Sequence, residues 1–233
     1  MYINDLPAAL DKAIAIIYAD DTNLIIKGKQ LSQLVQVLTD ELKVLGDYFK
    51  ANKLKLNVDK TKMVCFSRNG QNDVIELKMD GQIIGNEAST KYLGITLDST
   101  LSWESHCNNV ANKMARNAGI LNRIKNYLPI PSLCTLYNSL IFPHYSYGLE
   151  VWGNCNKRFL KRIITIQKKA VRSILKSHWL SHTEPRMRKL NILKVPDQYH
   201  LQCMSLTHDM LTGNNPDIYS LTGAQNGQRE MSL

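Results

Sequence analysis

Two adjacent carboxylates, Asp20 and Asp21, follow Tyr-Ala between two short apolar, β-branched runs. These runs, residues 13–18 and 23–27, predict an antiparallel hairpin with the aspartates at its tip. Carboxylate oxygens on a rigid support are ligands that Mg²⁺ prefers, and two such ions about 4 Å apart catalyse phosphoryl transfer. Aspartate is also common in turns because its side chain bonds the local backbone, so a purely structural role stays open.

The elements that must position this hairpin follow it in the sequence. Apolar residues recur at three- and four-residue spacing from Leu31 to Phe49, which predicts an amphipathic helix. Short strands are predicted at residues 62–67, 74–79 and 91–98, with an Asp-Gly turn at residues 80 and 81. This first part therefore has an α+β pattern.

The pattern changes near residue 98. Long helices are predicted at residues 102–127, 131–145 and 156–178, and prolines interrupt them. We therefore expect one domain at residues 1–97, a helical domain at 98–213 and a flexible, polar tail at 214–233.

The net charge of +9 is concentrated in one region. Residues 150–195 hold twelve lysines and arginines against two glutamates, a net charge of +10. The predicted helix at 156–178 contains no acidic residue, and its basic side chains surround an apolar stripe. Those that we single out as candidate nucleic-acid-binding residues are Arg158, Lys161, Arg162, Lys168, Lys169, Arg172 and Lys176.

Such a helix favours a polyanionic partner, because unpaired like charges on one helix repel each other unless an external anion balances them. A solvated cationic surface and a helix lying on an anionic membrane are the alternatives. The apolar stripe favours packing against neighbouring helices over the membrane.

Several stretches occur in a fixed order and together resemble the reverse transcriptases of non-LTR, LINE-type retrotransposons. The resemblance extends from residue 2 to about residue 200. It rests on YINDLP (2–7), YADDT (18–22), LKLNVDKTK (54–62), YLGITLDSTLSWESH (92–106), LYNSLIFPHYSYGLEVWG (136–153) and IQKKAVRSIL (166–175).

The resemblance implies an α+β fold in which an incomplete polymerase palm is followed by an all-α helical thumb. Asp20 and Asp21 would be the catalytic carboxylates that bind Mg²⁺ or Mn²⁺. Lys60 or Lys62 would lie near the pyrophosphate leaving group, although a surface role is an equal alternative for each. Residues that would position substrate and primer are Tyr18, Ala19, Tyr92, Leu93 and Gly94.

The implied partners are an RNA template and a DNA primer, without a small-molecule cofactor or a membrane. Because the family uses a third carboxylate from an earlier strand, and neither Asp5 nor Asp11 matches it, we expect this chain to be inactive alone. The alternatives are a non-catalytic module that binds RNA or template-primer duplex, and a chain that acts in trans with a full-length copy of the element.

The composition and the N-terminal sequence indicate where in the cell the protein is expected. No apolar run is long enough to span a membrane, and the N-terminus has no signal-peptide pattern, so we expect an intracellular protein, cytoplasmic or nuclear, that is not secreted. The five cysteines are odd in number and never spaced as Cys-x-x-Cys, which indicates free thiols.

Overall fold

A computed structural model describes residues 3–67, 76–79 and 81–213. The chain divides into two compact units, the first ending at Leu101 and the second beginning at Ser102. The first unit mixes helices with small antiparallel strand pairs, and the described part of the second is helical, which agrees with an α+β protein. Within the described residues, no helix is long and apolar enough to cross a bilayer.

The hairpin that carries the aspartates forms as predicted, with a tighter turn. Strand β1 (Ile14–Tyr18) pairs antiparallel with β2 (Asp21–Ile25), and Tyr18 lies opposite Asp21. The second strand was predicted to begin at residue 23. Because only Ala19 and Asp20 form the turn, Asp21 is the first residue of β2 and its backbone is held by strand pairing.

Two helices pack beside the hairpin in the first unit. The short helix α1 (Leu6–Ala9) contacts α2 (Leu31–Ala51), which extends two residues beyond the predicted end at Phe49. Tyr48 of α2 donates a hydrogen bond to Asp5. The buried Glu41 accepts one from the backbone N–H of Lys12 at 2.6 Å. These bonds and the buried Leu6 join the N-terminal segment to α2.

The remaining strands of the first unit form two further hairpins. Strand β3 (Glu76–Met79) pairs with β4 (Gln82–Gly85), and β5 (Ser89–Tyr92) pairs with β6 (Ile95–Asp98). The single strand predicted at 91–98 was therefore wrong, because the chain reverses after Tyr92. The start of the strand predicted at 74–79, and Asp80 of the predicted turn, lie outside the described residues.

The strand predicted at 62–67 was also wrong. This segment makes one isolated bridge, between Met63 and Asn86, and a hydrogen bond from the Cys65 N–H to the Asn86 side chain at 3.0 Å. Met63, Val64 and Cys65 are half-buried and Phe66 is exposed, and the segment has no continuous strand partner in the described part of the chain.

The second unit is built from helices of very different lengths. They are α3 (Glu104–Ile124), α4 (Ile130–Leu140), α5 (Phe142–Ser146), α6 (Leu149–Trp152), α7 (Lys157–Ile174), α8 (Glu184–Lys189) and α9 (Val195–Leu211). The helix predicted at 131–145 is interrupted at Ile141, since Pro143 cannot continue the helical hydrogen bonds. The helix predicted at 156–178 ends at Ile174, and Lys176 has a positive φ of 48°.

Helices α3 and α7 run parallel and form the most extensive helix pair of this unit. Arg158 contacts Glu104 near the start of both helices, and Ser173 donates to Asn122 near the end of both. The buried face of α7 packs inward; it consists of Ile163, Ile166, Gln167, Ala170, Val171, Ser173 and Ile174.

Candidate catalytic hairpin and basic surface

The tip of the β1–β2 hairpin presents both carboxylates to solvent. Asp20 and Asp21 are exposed, and the ring of Tyr18 beside them is 63% exposed. Ala19 adopts φ = 55°, a left-handed conformation that favours glycine and is uncommon for other residues. The tight turn therefore places two adjacent carboxylates on a strand-supported tip at some cost in backbone strain.

The donor set at this tip fits a divalent metal only in part. Carboxylate oxygens suit Mg²⁺ or Mn²⁺. Across the described residues, however, no group of three or more His, Cys, Asp or Glu side chains is arranged to hold a metal ion. Asp5 accepts a hydrogen bond from Tyr48 and belongs to no such group. Asp20 and Asp21 therefore supply two carboxylates of the kind that a divalent metal prefers, without a third ligand group beside them in the described residues.

The predicted primer-positioning segment lies in the turn of the β5–β6 hairpin. Leu93 and Gly94 have φ of 43° and 82°, the two positive angles of a type I′ turn. Burial, and secondly the negative charge of Asp21, raises the pKa of the half-buried Tyr92. The first unit thus places Tyr92 within electrostatic reach of Asp21, although 71 residues separate them in the sequence.

The two candidate lysines occupy different surroundings. Lys60 is exposed at the end of a 3-10 helix, Val58–Lys60, where its backbone N–H bonds the Asn57 side chain at 3.3 Å. Lys62 lines a cavity of about 330 Å³ together with Thr22 and Asn23, which follow Asp21 on β2. Of the two candidate lysines, Lys62 therefore shares a cavity with the strand that begins at Asp21.

The arginines and lysines on α7 and just beyond it, residues 157–176, form a basic surface. Three of the predicted arginines make contacts that hold α7 in place. Arg158 lies 3.5 Å from Glu104, Arg162 donates to Asn112 at 2.7 Å, and Arg172 donates to the Ser181 carbonyl at 3.0 Å. The structure thus gives these guanidinium groups intramolecular partners.

The lysines of the same surface point into solvent. These are Lys157, Lys161, Lys168 and Lys169 on α7 and Lys176 just beyond it. The segment itself contains no acidic residue, but Glu104 and Glu184 from other elements partly balance its positive charge. The pKa of Glu184 is lowered mainly by a 2.7 Å hydrogen bond from Lys194, and the charge of Lys168 contributes. The lysines are therefore the groups of this surface best placed to meet phosphates.

One exposed aromatic residue near these lysines was not singled out from the sequence. Trp179 is 71% exposed and lies three residues after Lys176, with the His178 ring 5.9 Å from its own. An exposed tryptophan beside basic residues is suited to stack on a nucleic-acid base. The sequence signal that could have identified Trp179 is its position in a short, basic stretch.

Comparison with known proteins shows similarity to reverse transcriptases. The reverse transcriptase (RNA-dependent DNA polymerase) family matches residues 1–97, which include both hairpins of the candidate site. The RNA-directed DNA polymerase from mobile element jockey of Drosophila melanogaster is 29% identical over 185 residues, 78% of this chain. This chain is a relative of the LINE-type reverse transcriptases.

Two further relatives come from the same fly and extend the match into the second unit. The probable RNA-directed DNA polymerase from transposon BS is 28% identical over 80% of the chain, and that from transposon X-element is 22% identical over 91%. The chain spans between 20% and 24% of the length of these reverse transcriptases. No solved structure matches it significantly.

Proposed function

We propose that this chain supplies the catalytic hairpin and the primer-binding helices of an RNA-directed DNA polymerase that copies an RNA template from a DNA primer. The observation that carries the proposal is the exposed Tyr18–Asp21 tip within the residues that match the reverse transcriptase family. The first unit would be part of the palm, and the second unit the thumb.

Asp20 and Asp21 would hold the divalent metal, Mg²⁺ or Mn²⁺, which neutralises charge on the reacting phosphates when it is bound. Tyr18 extends from the same tip toward solvent, where a substrate strand can reach it, and the small Ala19 leaves room for that strand. The turn at Leu93 and Gly94, next to Tyr92, would position the primer end.

The 233-residue polypeptide by itself would not catalyse primer extension. Its described residues place no third carboxylate beside Asp20 and Asp21, and positioning with charge neutralisation provides most of the catalysis in phosphoryl transfer. A longer copy of the element could provide the missing group in trans. Mixing the chain with such a copy should then change the extension rate of the copy, and an unchanged rate would exclude this role.

The metal assignment is tested by paramagnetic broadening of amide NMR signals with Mn²⁺. Signals of residues 18–22 should broaden at lower Mn²⁺ concentrations than the rest of the chain, and this preference should disappear in the Asp20→Asn, Asp21→Asn variant. Asp11→Asn, Asp40→Asn is the matched control, since it removes the same charge from exposed positions of the same unit. Equal broadening in the variant and the wild type would contradict the assignment.

A second candidate function is a non-catalytic module that binds RNA or template-primer duplex. The five exposed lysines at and beyond α7 favour it. Phosphate neutralisation makes such binding salt-dependent, so five contacts on duplex DNA predict a log-log slope of about −4 to −5. Because phosphate contacts do not read bases, the affinity should vary little with sequence.

Charge-reversal variants distinguish binding by this surface from binding that depends only on the positive net charge of the chain. Lys161, Lys169 and Lys176 changed together to glutamate should flatten the salt slope by about 3 units. The control changes Lys29, Lys43 and Lys53, exposed lysines of the first unit, to glutamate and alters the net charge equally. Equal loss of binding in both variants, or a wild-type slope near zero, would refute a binding surface on α7.

A further inference from the structure

Two cysteines far apart in sequence meet in the second unit. The Sγ atoms of Cys107 and Cys155 lie 3.5 Å apart. Cys107 is in the first turns of α3, and Cys155 lies between α6 and α7. A covalent bond of about 2.05 Å requires the two sulfurs to approach each other by about 1.5 Å.

The backbone on both sides of this pair is held in place. The Cys107 N–H bonds the Trp103 carbonyl at 2.9 Å, and the Cys155 N–H bonds the Trp152 carbonyl at 3.1 Å. The next residue, Asn156, accepts a hydrogen bond from the first turn of α7. The parallel packing of α3 and α7 therefore keeps the two sulfurs adjacent.

The two thiols differ in access to solvent. Cys107 is 1% exposed, and Cys155 is only partly buried. A small oxidant in solution therefore meets Cys155 first, and Cys107 lies directly behind it. This pairing of an accessible thiol with a buried neighbour is the arrangement found at reversible redox sites.

We propose that Cys107 and Cys155 form a reversible disulfide when the protein meets a two-electron oxidant such as hydrogen peroxide. The disulfide joins the start of α3 to the segment that leads into α7. It thereby fixes the N-terminal end of the helix pair that carries the basic surface. The proposal rests on the sulfur geometry and is independent of polymerase activity.

The reaction takes place in two balanced steps. The Cys155 thiolate attacks one peroxide oxygen, the O–O bond breaks, and Cys155 sulfenic acid and hydroxide form; the proton that the Cys155 thiol released on ionising converts this hydroxide to water. The Cys107 sulfur then attacks the Cys155 sulfur, the S–O bond breaks, and hydroxide leaves with the Cys107 proton as water. The two thiols lose two electrons in total, and one peroxide is reduced to two water molecules.

The electrostatics of the pair agree with this order. The hydrogen bond from Cys107 lowers the pKa of the Cys155 thiol, which increases its thiolate fraction at neutral pH. The pKa of the Cys107 thiol is raised because this thiol donates the hydrogen bond to Cys155 and because it is buried. Cys155 is therefore the attacking thiol and Cys107 the resolving thiol.

The test oxidises the full chain with limiting hydrogen peroxide, blocks remaining thiols with N-ethylmaleimide and maps linked peptides by mass spectrometry. Glu150 lies between Cys134 and Cys155, so digestion with trypsin and Glu-C separates these two cysteines. We expect a Cys107–Cys155 linked peptide that dithiothreitol removes. Oxidation should also raise the thermal unfolding midpoint of the second unit by about 5 °C or more.

Two cysteine variants show whether the link is specific to Cys107 and Cys155. Cys155→Ser should abolish the link and the thermal shift, whereas Cys134→Ser should retain both. Tryptophan fluorescence shows whether each variant is folded, because Trp103, Trp152 and Trp179 all belong to the second unit. Unlinked Cys107 and Cys155 after oxidation, or links distributed among all cysteines, would overturn the proposal even if a variant failed to fold.

Discussion

Gln167 is the side chain whose removal should most damage the second unit. It is fully buried on α7, where its Nε2 donates to the Leu193 carbonyl at 2.8 Å and its Oε1 accepts from the Val195 N–H at 3.2 Å. These two bonds fix the orientation of the amide. Nε2 also lies 3.1 Å from the hydroxyl oxygens of Tyr137 and Tyr145, which are 3.0 Å from each other. One amide thus links α7 to α4, to α5, to the segment before α9 and to the first residue of α9.

Gln167→Leu keeps most of the side-chain volume and removes all of these bonds. The two hydroxyls retain each other, but the buried Val195 N–H loses its acceptor and the Leu193 carbonyl loses its donor. An unsatisfied buried polar group costs about 1 to 3 kcal/mol. Since Leu193 is partly accessible, we expect a total loss of about 2 to 4 kcal/mol in the free energy of unfolding.

The assay is urea unfolding of the full chain followed by tryptophan fluorescence. All three tryptophans lie in the second unit, and Trp152 is completely buried, so the emission reports on that unit. With an m value of about 1 to 1.5 kcal/mol per molar urea for a unit of this size, the expected loss lowers the midpoint by roughly 2 M.

The control is Thr165→Ala on the same helix. Thr165 is exposed, and its hydroxyl bonds only the Lys161 carbonyl of its own helix, so its loss should change the free energy by less than about 0.5 kcal/mol. A Gln167→Leu variant as stable as this control would refute the reasoning, because the buried amide would then contribute nothing.

Three further predictions concern single positions. Ala19→Val should destabilise the β1–β2 hairpin by about 1 to 2 kcal/mol, whereas Ala19→Gly should not, because φ = 55° is worst for a β-branched residue; hydrogen exchange of the β1 and β2 amides measures both. Burial lowers the pKa of His144, whose Nε2 lies 3.1 Å from the Asn117 amide nitrogen and accepts from it only when unprotonated. The unfolded chain therefore takes up a proton below its pKa of about 6.5 that the folded chain resists, so stability falls with decreasing pH; thermal unfolding between pH 7 and 5 should show a smaller fall in His144→Gln. Trp179→Ala should weaken binding of single-stranded RNA by about 1 to 3 kcal/mol in a fluorescence-anisotropy titration, and unchanged affinity would exclude base stacking at this site.

The elements with strong periodicity were predictable from the sequence. The apolar spacing of α2 and the β-branched runs around Asp20 each express a local preference that the fold retains. The ordered motifs also indicated the resemblance to reverse transcriptases that the comparisons find. The local strand pattern did not predict the reversal at Leu93, because a leucine in the first position of a type I′ turn gives no glycine signal there, whereas the resemblance of residues 92–95 to a primer-grip hairpin implied it.

The partners of the polar side chains could not be predicted, because they depend on tertiary contacts. Nothing in the local sequence shows that Arg172 bonds the Ser181 carbonyl while the adjacent lysines remain in solvent. The meeting of Cys107 with Cys155 depends equally on the parallel packing of α3 and α7. The intramolecular partners of the three arginines are therefore a result of the structure.

The central claim is that Asp20 and Asp21 belong to a polymerase site that this polypeptide does not complete. Primer extension on an RNA template with Mg²⁺ or Mn²⁺ tests it directly, with the purified chain compared with its Asp20→Ala, Asp21→Ala variant. We predict no extension by either protein and salt-sensitive binding of the same template-primer by both. Extension by the wild type alone would contradict this claim, because another group of the chain would then complete the site.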